Sequence, residues 1–212
     1  MSNQSLPHQE ETPIRLFKSD FLEFFTHISP IVVLAVFIPL IAYLLWRGFQ
    51  MNSGAGWNVL AAALIGLLIW PLVEYLLHRF LFHWQPQNPG PRLQRFLFLM
   101  HGVHHAQPRE KTRLVMPPVV SLPMALIFYL LFWLVAGRLF CAINYVDGLT
   151  AGFLLGYVGY DMTHYALHHF SFKGNYFVHL RRHHMAHHFK NHMADFGVSS
   201  WFWDDVFKTR VV

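Results

Sequence analysis

Four long apolar runs leave this chain few ways to fold. Ile28 to Trp46 carries no charge, and Trp57 to Leu77 is interrupted only by Pro71 and Glu74. Pro117 to Val135 follows, and Leu139 to Tyr160 is weaker because it holds Asn144, Asp147 and several glycines. A hydrocarbon core of ~30 Å needs ~20 apolar residues as a helix, so each run is about long enough to span it. Helices buried inside a soluble protein would show polar faces. These runs are apolar all round, which places them in lipid. Composition agrees, since 54% hydrophobic and 13% charged residues fall outside the usual balance of a soluble domain. Pro30 and Pro39 predict a bend in the first run, and the fourth is expected to start near Val146.

Residues 1–20 read as a flexible polar tail, with Gln9, Glu10, Glu11 and Pro13, and 21–212 as one membrane-embedded domain. No basic segment with a nearby cleavage site precedes the first run, so that run is expected to direct its own insertion. The lone Cys141 allows no internal disulfide. Arg79, Arg92, Arg95, Arg109, Lys111 and Arg113 lie between the second and third runs, while Lys173, Arg181, Arg182, Lys190, Lys208 and Arg210 follow the fourth. Only Arg47 and Arg138 lie on the other side. The positive-inside rule therefore puts both basic segments in the cytoplasm. The net charge of +5 becomes a topology signal with some affinity for anionic headgroups, and no nucleic-acid partner is expected.

Histidine carries the chemistry. Ten of the 16 histidines form four clusters: His78 and His83; His101, His104 and His105; His164 and His168; His184, His187 and His188. All four fall on the predicted cytoplasmic side. Neutral imidazole is a common ligand for iron, zinc and copper. One tetrahedral ion takes four ligands, so ten rings point to two ions. His78 and His83 are offset by ~140° on an ideal helix and reach one ion only if the helix ends, tilts or bulges between them. The residues from Leu93 to Met100 read as an interfacial helix leading into His101, on which His101 and His105 share a face and His104 turns aside. His184 and His188 align in the same way while His187 diverges. A crossed arrangement follows, with His78, His83, His101, His105 and His187 on one ion and His104, His164, His168, His184 and His188 on the other.

Glu74, Asp161 and Asp195 are candidates to accept ring N–H bonds and fix the tautomers. Glu74, one turn before His78 inside an apolar run, has the strongest claim. His169, His179, His183 and His192 read as outer-sphere or solvated rings, and His8 and His27 receive no function. No catalytic side chain is expected beyond the metal centre.

The segments Glu74-Tyr-Leu-Leu-His-Arg-Phe-Leu-Phe-His83, His101-Gly-Val-His-His105, Tyr160-Asp-Met-Thr-His-Tyr-Ala-Leu-His-His169 and His184-Met-Ala-His-His188 together resemble the fatty acid hydroxylase superfamily. Within it, Arg113-Leu-Val-Met-Pro-Pro118, the Tyr160 motif and the stretch from Phe196 to Phe207 are most similar to the fatty acid and ceramide 2-hydroxylases. The resemblance runs from about Phe17 to the end. It implies an all-α integral membrane protein of about four transmembrane helices, with a cytosolic helical cap holding a dinuclear iron site. It further implies insertion of one oxygen atom of O2 at carbon 2 of an acyl chain, in a free fatty acid or a ceramide. Zinc in a purified sample would be a substitute, because zinc does not change redox state. An unactivated C–H bond offers neither acid nor electrophile, so a redox metal must supply the oxidant.

Many eukaryotic relatives carry an N-terminal cytochrome b5 domain, whereas ~25 residues precede the first run here. Electrons are therefore expected from a separate donor such as cytochrome b5, or a ferredoxin with its reductase, docking on the basic cap. The inner membrane of a prokaryote or the endoplasmic reticulum membrane of a eukaryote is the expected location. The rival readings are a sterol or carotenoid hydroxylase or desaturase of the same superfamily, and a metal-binding membrane protein without oxygenase activity.

Overall fold

In the computed structural model, which describes residues 12–52 and 56–211, regular structure is helical throughout. Nine α-helices follow in order: α1 (Asp20–Phe24), α2 (Pro30–Met51), α3 (Gly56–Leu77), α4 (Pro91–Leu97), α5 (Val103–Ala106), α6 (Pro118–Phe132), α7 (Val146–His169), α8 (Asn175–Phe189) and α9 (Phe202–Phe207). π-turns extend α3 and α6, at His78–Phe82 and Trp133–Leu139, and another joins α4 to α5 at Phe98–Gly102.

Among the described residues, three helices are long and apolar enough to cross a membrane: Pro30–Met51, Gly56–Phe82 and Pro118–Leu139. At 1.5 Å per residue, 22 residues reach about 33 Å, slightly more than the hydrocarbon core. Their outer faces expose Ile31, Trp57, Leu68 and Ile127 by 74%, 83%, 67% and 63%. Large apolar side chains this open mark a lipid-facing surface. Pro30 sits in the first turn of α2, where its missing N–H costs nothing, and Pro39 lies within the same continuous helix.

The fourth expected run differs in character. α7 does begin at Val146, but protein encloses most of it, with Asp147, Thr150, Asp161 and His164 among its buried residues. It is the central post of the bundle, packed chiefly on α3 and α2. The glycines that dilute its hydropathy explain the fit. A Cβ on Gly148 would lie 2.6 Å from the Val59 carbonyl oxygen, one on Gly152 1.7 Å from that of Ala63, and one on Gly156 2.4 Å from Trp70 Cβ. Glycine at every fourth position thus lets two helix backbones touch, as small residues do in membrane bundles. Gly152→Leu is expected to force α7 off α3, at a cost above the ~1–3 kcal/mol typical of overpacking. Loss of the monodisperse species in detergent chromatography, beside an unchanged Gly159→Leu control, checks it; nothing lies within 4 Å of the Cβ position at Gly159.

Arg47 of α2 and Asp147 of α7 pair at the opposite end of the bundle from the histidines, with Nε to Oδ2 at 2.5 Å, and the same guanidinium donates to Tyr129 of α6 at 2.7 Å. A charge this deep is tolerated because its partner and the hydroxyl replace water.

Of the expected tail, residues 1–11 lie outside the described residues, and 12–20 are tied to the cap. The Ile14 N–H donates to Gln107 Oε1 at 2.8 Å, and Gln107 Nε2 returns a bond to the Thr12 carbonyl at 3.1 Å. The Leu16 and Phe17 N–H groups donate to Glu23 at 2.9 and 2.7 Å, and Arg113 holds the other Glu23 oxygen at 2.5 Å. A segment polar in composition becomes fixed because its backbone finds buried partners.

Candidate metal centre

α3 and α7 both end at the cap, delivering His78 at the start of a π-turn and His164 and His168 on the last turns of α7. The π-turn resolves the spacing of the first pair. An i→i+5 bond, from the His83 N–H to the His78 carbonyl at 3.1 Å, stacks residues five apart on one face. A second π-turn at Phe98–Gly102 precedes α5 and carries His101, whose ring stacks on Phe82 with centroids 5.3 Å apart. α8 supplies His184, His187 and His188.

The ten rings converge in two groups of five: His78, His83, His101, His105 and His187; and His104, His164, His168, His184 and His188. Each ring offers one nitrogen, and within each group these nitrogens all lie within 4.8 Å of one another. In the first group, His101 Nε2 is 3.1 Å from that of His78 and 3.0 Å from that of His105. His187 Nε2 is 2.9 Å from that of His83 and 3.2 Å from that of His105. In the second, the Nε2 separations are 2.9 Å for His104 and His164, 2.8 Å for His168 and His184, and 3.2 Å for His184 and His188. The groups abut through His105 and His188, whose rings stack with centroids 4.3 Å apart.

These distances suit a metal ion. At a metal–nitrogen distance of ~2.1 Å, neighbouring ligands at right angles lie ~3.0 Å apart and opposite ones ~4.2 Å apart. Ring protonation points the same way. His78 Nδ1 meets the Phe196 carbonyl, and His187 Nδ1 meets the Ala194 carbonyl at 2.7 Å. A ring donating from Nδ1 presents a bare lone pair at Nε2. Lone pairs facing one another repel, and a shared cation is what relieves them. Burial keeps the rings of the cap neutral: it pushes His83 down to about 2, His105 to about 3 and His187 to about 4, with neighbouring rings adding to the effect.

The carboxylates expected to orient the rings do not do so among the described residues. Glu74 accepts from the Val198 and Ser199 N–H groups at 2.7 and 2.9 Å, from Ser199 Oγ, and from Trp70 Nε1 at 3.2 Å. Its donors belong to the Val198–Ser199 loop and to Trp70 of its own helix, and none is a ligand ring. Asp161 accepts from the Met116 N–H at 3.2 Å, and Asp195 faces His183 Nδ1 at 3.2 Å, outside both groups. Backbone carbonyls take the role instead. Sequence carries no direct mark of them, because every residue has one; the nearest signal is Gly197, where a Cβ would lie 2.0 Å from the Ser200 carbonyl oxygen.

The remaining described histidines belong to neither group, although the His192 ring lies 6.0 Å from that of His83. His27 contacts Thr112 and Arg113, His179 contacts Arg210, His192 contacts Gln85, His183 lies between Asp195 and Asp204, and His169 packs on Tyr165. His8 is outside the described residues.

A cavity of about 620 Å³ opens beside the rings, touching His101 and His104 of different groups and His164. Its walls are mostly apolar, with Phe17, Phe21 and Phe25 from the segment before α2 and Leu99 and Met100 from the second π-turn. A smaller apolar pocket of about 40 Å³ among Trp70, Phe128 and Phe153 shares Phe82, Met116 and Tyr160 with it. The two apolar spaces are therefore neighbours, separated by Phe82, Met116 and Tyr160.

A model of the fatty acid hydroxylase family matches residues 63–209. The chain belongs to this family. Fatty acid 2-hydroxylase of Rattus norvegicus is 38% identical, over 94% of this chain and 57% of the relative. Dihydroceramide fatty acyl 2-hydroxylase FAH2 of Arabidopsis thaliana is 35% identical, over 92% of this chain and 79% of the relative. The solved structure of full-length scs7p, in which only the hydroxylase domain is visible, is 34% identical and superposes with a TM-score of 0.83, over 91% of this chain and 70% of that one. The hydroxylase-family chain spans little more than half the length of the rat protein it matches.

Proposed function

We propose that this chain is a membrane monooxygenase that hydroxylates carbon 2 of an acyl chain, in a free fatty acid or a ceramide. The observation that carries the reading is the cavity: an apolar space large enough for an alkyl chain reaches His101, His104 and His164, rings of both groups, at the cap end of the bundle. Family membership and the 2-hydroxylase names of the relatives support the same chemistry.

The two groups of five rings would each hold an iron ion. Bound redox metal supplies the activation of O2 that attack on an unactivated C–H bond requires, which no side chain here provides. The chain does the rest. Neutral rings aim their Nε2 lone pairs inward, and carbonyls at Nδ1 fix those of His78 and His187. Phe17, Phe21 and Phe25 give the cavity an apolar aromatic wall. The substrate head group would stay at the cap face while the alkyl chain enters the apolar space, so the reacting carbon lies close to the head. Regiochemistry then follows from distance. Electrons would come from a separate donor such as cytochrome b5 or ferredoxin, and the basic cap would face the cytoplasm by the distribution of Lys and Arg.

Expression in a host lacking 2-hydroxy lipids, under ¹⁸O2, tests the reading. The expected product is a 2-hydroxyacyl lipid carrying one labelled oxygen, absent from the His104→Ala strain. Labelled sterol without labelled acyl chain would overturn the substrate class, and hydroxyl at another carbon would overturn the geometry. Purified protein is expected to hold two metal ions per chain and to be inactive when both are zinc.

A further inference from the structure

The rings of His78 and His187 are oriented by the Phe196 and Ala194 carbonyls, and that loop is held in turn by a buried acid cluster on the side away from the cavity. Asp204 of α9 is fully buried. Its Oδ1 accepts from the Phe196 N–H at 2.9 Å and from Thr209 Oγ1 at 2.8 Å, and its Oδ2 accepts from the Gly197 N–H at 2.7 Å and lies 3.1 Å from His183 Nε2. The other His183 nitrogen lies 3.2 Å from Asp195 Oδ1 without hydrogen-bond geometry, and that oxygen accepts from the Val211 N–H at 2.7 Å. Asp195 sits in the left-handed region at φ 55°, which few non-glycine residues adopt unless their surroundings hold them there. A Cβ on Gly197 would lie 2.0 Å from the Ser200 carbonyl oxygen and 2.9 Å from Asp204 Oδ2, so the loop closes on the carboxylate with no space left.

We propose that Asp204, His183 and Asp195 are positioning residues for the first group of rings: they hold the Ala194–Gly197 loop so that its carbonyls accept hydrogen bonds from the Nδ1–H groups of His187 and His78. The inference rests on the reading that the two groups hold two metal ions. It predicts an asymmetry. The second group does not lean on this loop, since Nδ1 of His104, His164, His184 and His188 has no hydrogen-bond partner among the described residues. Loss of the cluster should therefore weaken one metal and leave the other.

Asp204→Asn tests this with the smallest change, because it keeps the shape and one acceptor oxygen while removing the charge that faces His183. Purified full chain is loaded with zinc or cobalt and dialysed against graded chelator, and metal per chain is counted. Wild type is expected to keep two ions to one common range of chelator. The variant is expected to release one ion at about 10–100-fold lower chelator concentration, the usual cost of losing an outer-sphere partner, and to keep the second as wild type does. Asp195→Asn, which leaves the Asp204 bonds in place, is the second variant and should release the same ion. Retention of both ions at wild-type affinity in the two variants, or joint loss of both ions, overturns the positioning role. A wild-type chain that binds no metal overturns instead the reading on which it rests.

Discussion

Replacing either His104 or His168 with alanine is expected to abolish product formation, by more than the ~10²-fold that loss of an outer-sphere partner alone can reach, while the chain still inserts in the membrane. Both rings belong to the second group, where His104 Nε2 lies 2.9 Å from that of His164 and His168 Nε2 lies 2.8 Å from that of His184. Truncation removes a nitrogen that no neighbour can replace, since the other four rings are already committed by their own helices. Insertion depends on α2, α3 and α6, whose apolar faces neither change touches. The measurement pairs product mass spectrometry with the amount of chain in washed membranes and the metal held after purification. His179→Ala, altering a ring that contacts Arg210 outside both groups, should behave as wild type. Wild-type turnover in either ligand variant would remove that ring from the centre.

Acid is expected to open the cap of the metal-free chain between about pH 6.5 and 4. The folded rings of His83, His105 and His187 stay neutral down to about 2, 3 and 4 because burial disfavours their charged forms, whereas unfolded rings take up protons near 6.5. Below 6.5 the unfolded state thus binds more protons than the folded one, and stability falls with pH. Each such ring costs at most ~1.4 kcal/mol per pH unit, so three together approach ~4 kcal/mol per unit, against a total stability of ~5–15 kcal/mol. Metal competes with protons for the same Nε2 atoms, so the loaded chain should persist to lower pH. Near-ultraviolet circular dichroism melts at pH 7.5, 6.5, 5.5 and 4.5, with and without metal, give the comparison. A metal-free chain equally stable across that range would show that the rings are charged in the fold or already open to water.

The bundle was largely legible because lipid makes a simple demand: uninterrupted apolar sequence of sufficient length yields α2, α3 and α6. α7 was harder to read, since Gly148, Gly152 and Gly156 lower hydropathy for a reason that only the partner helix reveals. The gathering of rings could be anticipated from helical spacing for His101 and His105 or His184 and His188. For His78 and His83 it needed a departure from α-helical geometry, and a π-turn supplies it. Spacing failed at the outer sphere. Glu74 was credited with a ring on sequence proximity to His78, but its oxygens go to Val198 and Ser199, more than a hundred residues away. The aromatic wall of Phe17, Phe21 and Phe25 was hidden likewise, because a polar, unpatterned segment gives no hint that its backbone will be pinned by Gln107 and its neighbour Glu23 by Arg113.

α5 and α8 each serve both clusters, α5 through His104 and His105, α8 through His187 and its flanking His184 and His188. Losing a single codon within either helix would rotate everything beyond it by about 100° and dismantle both sites in one stroke. The lengths of these two helices are therefore constrained by both sites at once: a shortened or lengthened helix disturbs the two together, whereas an exchanged side chain can weaken one and spare its neighbour.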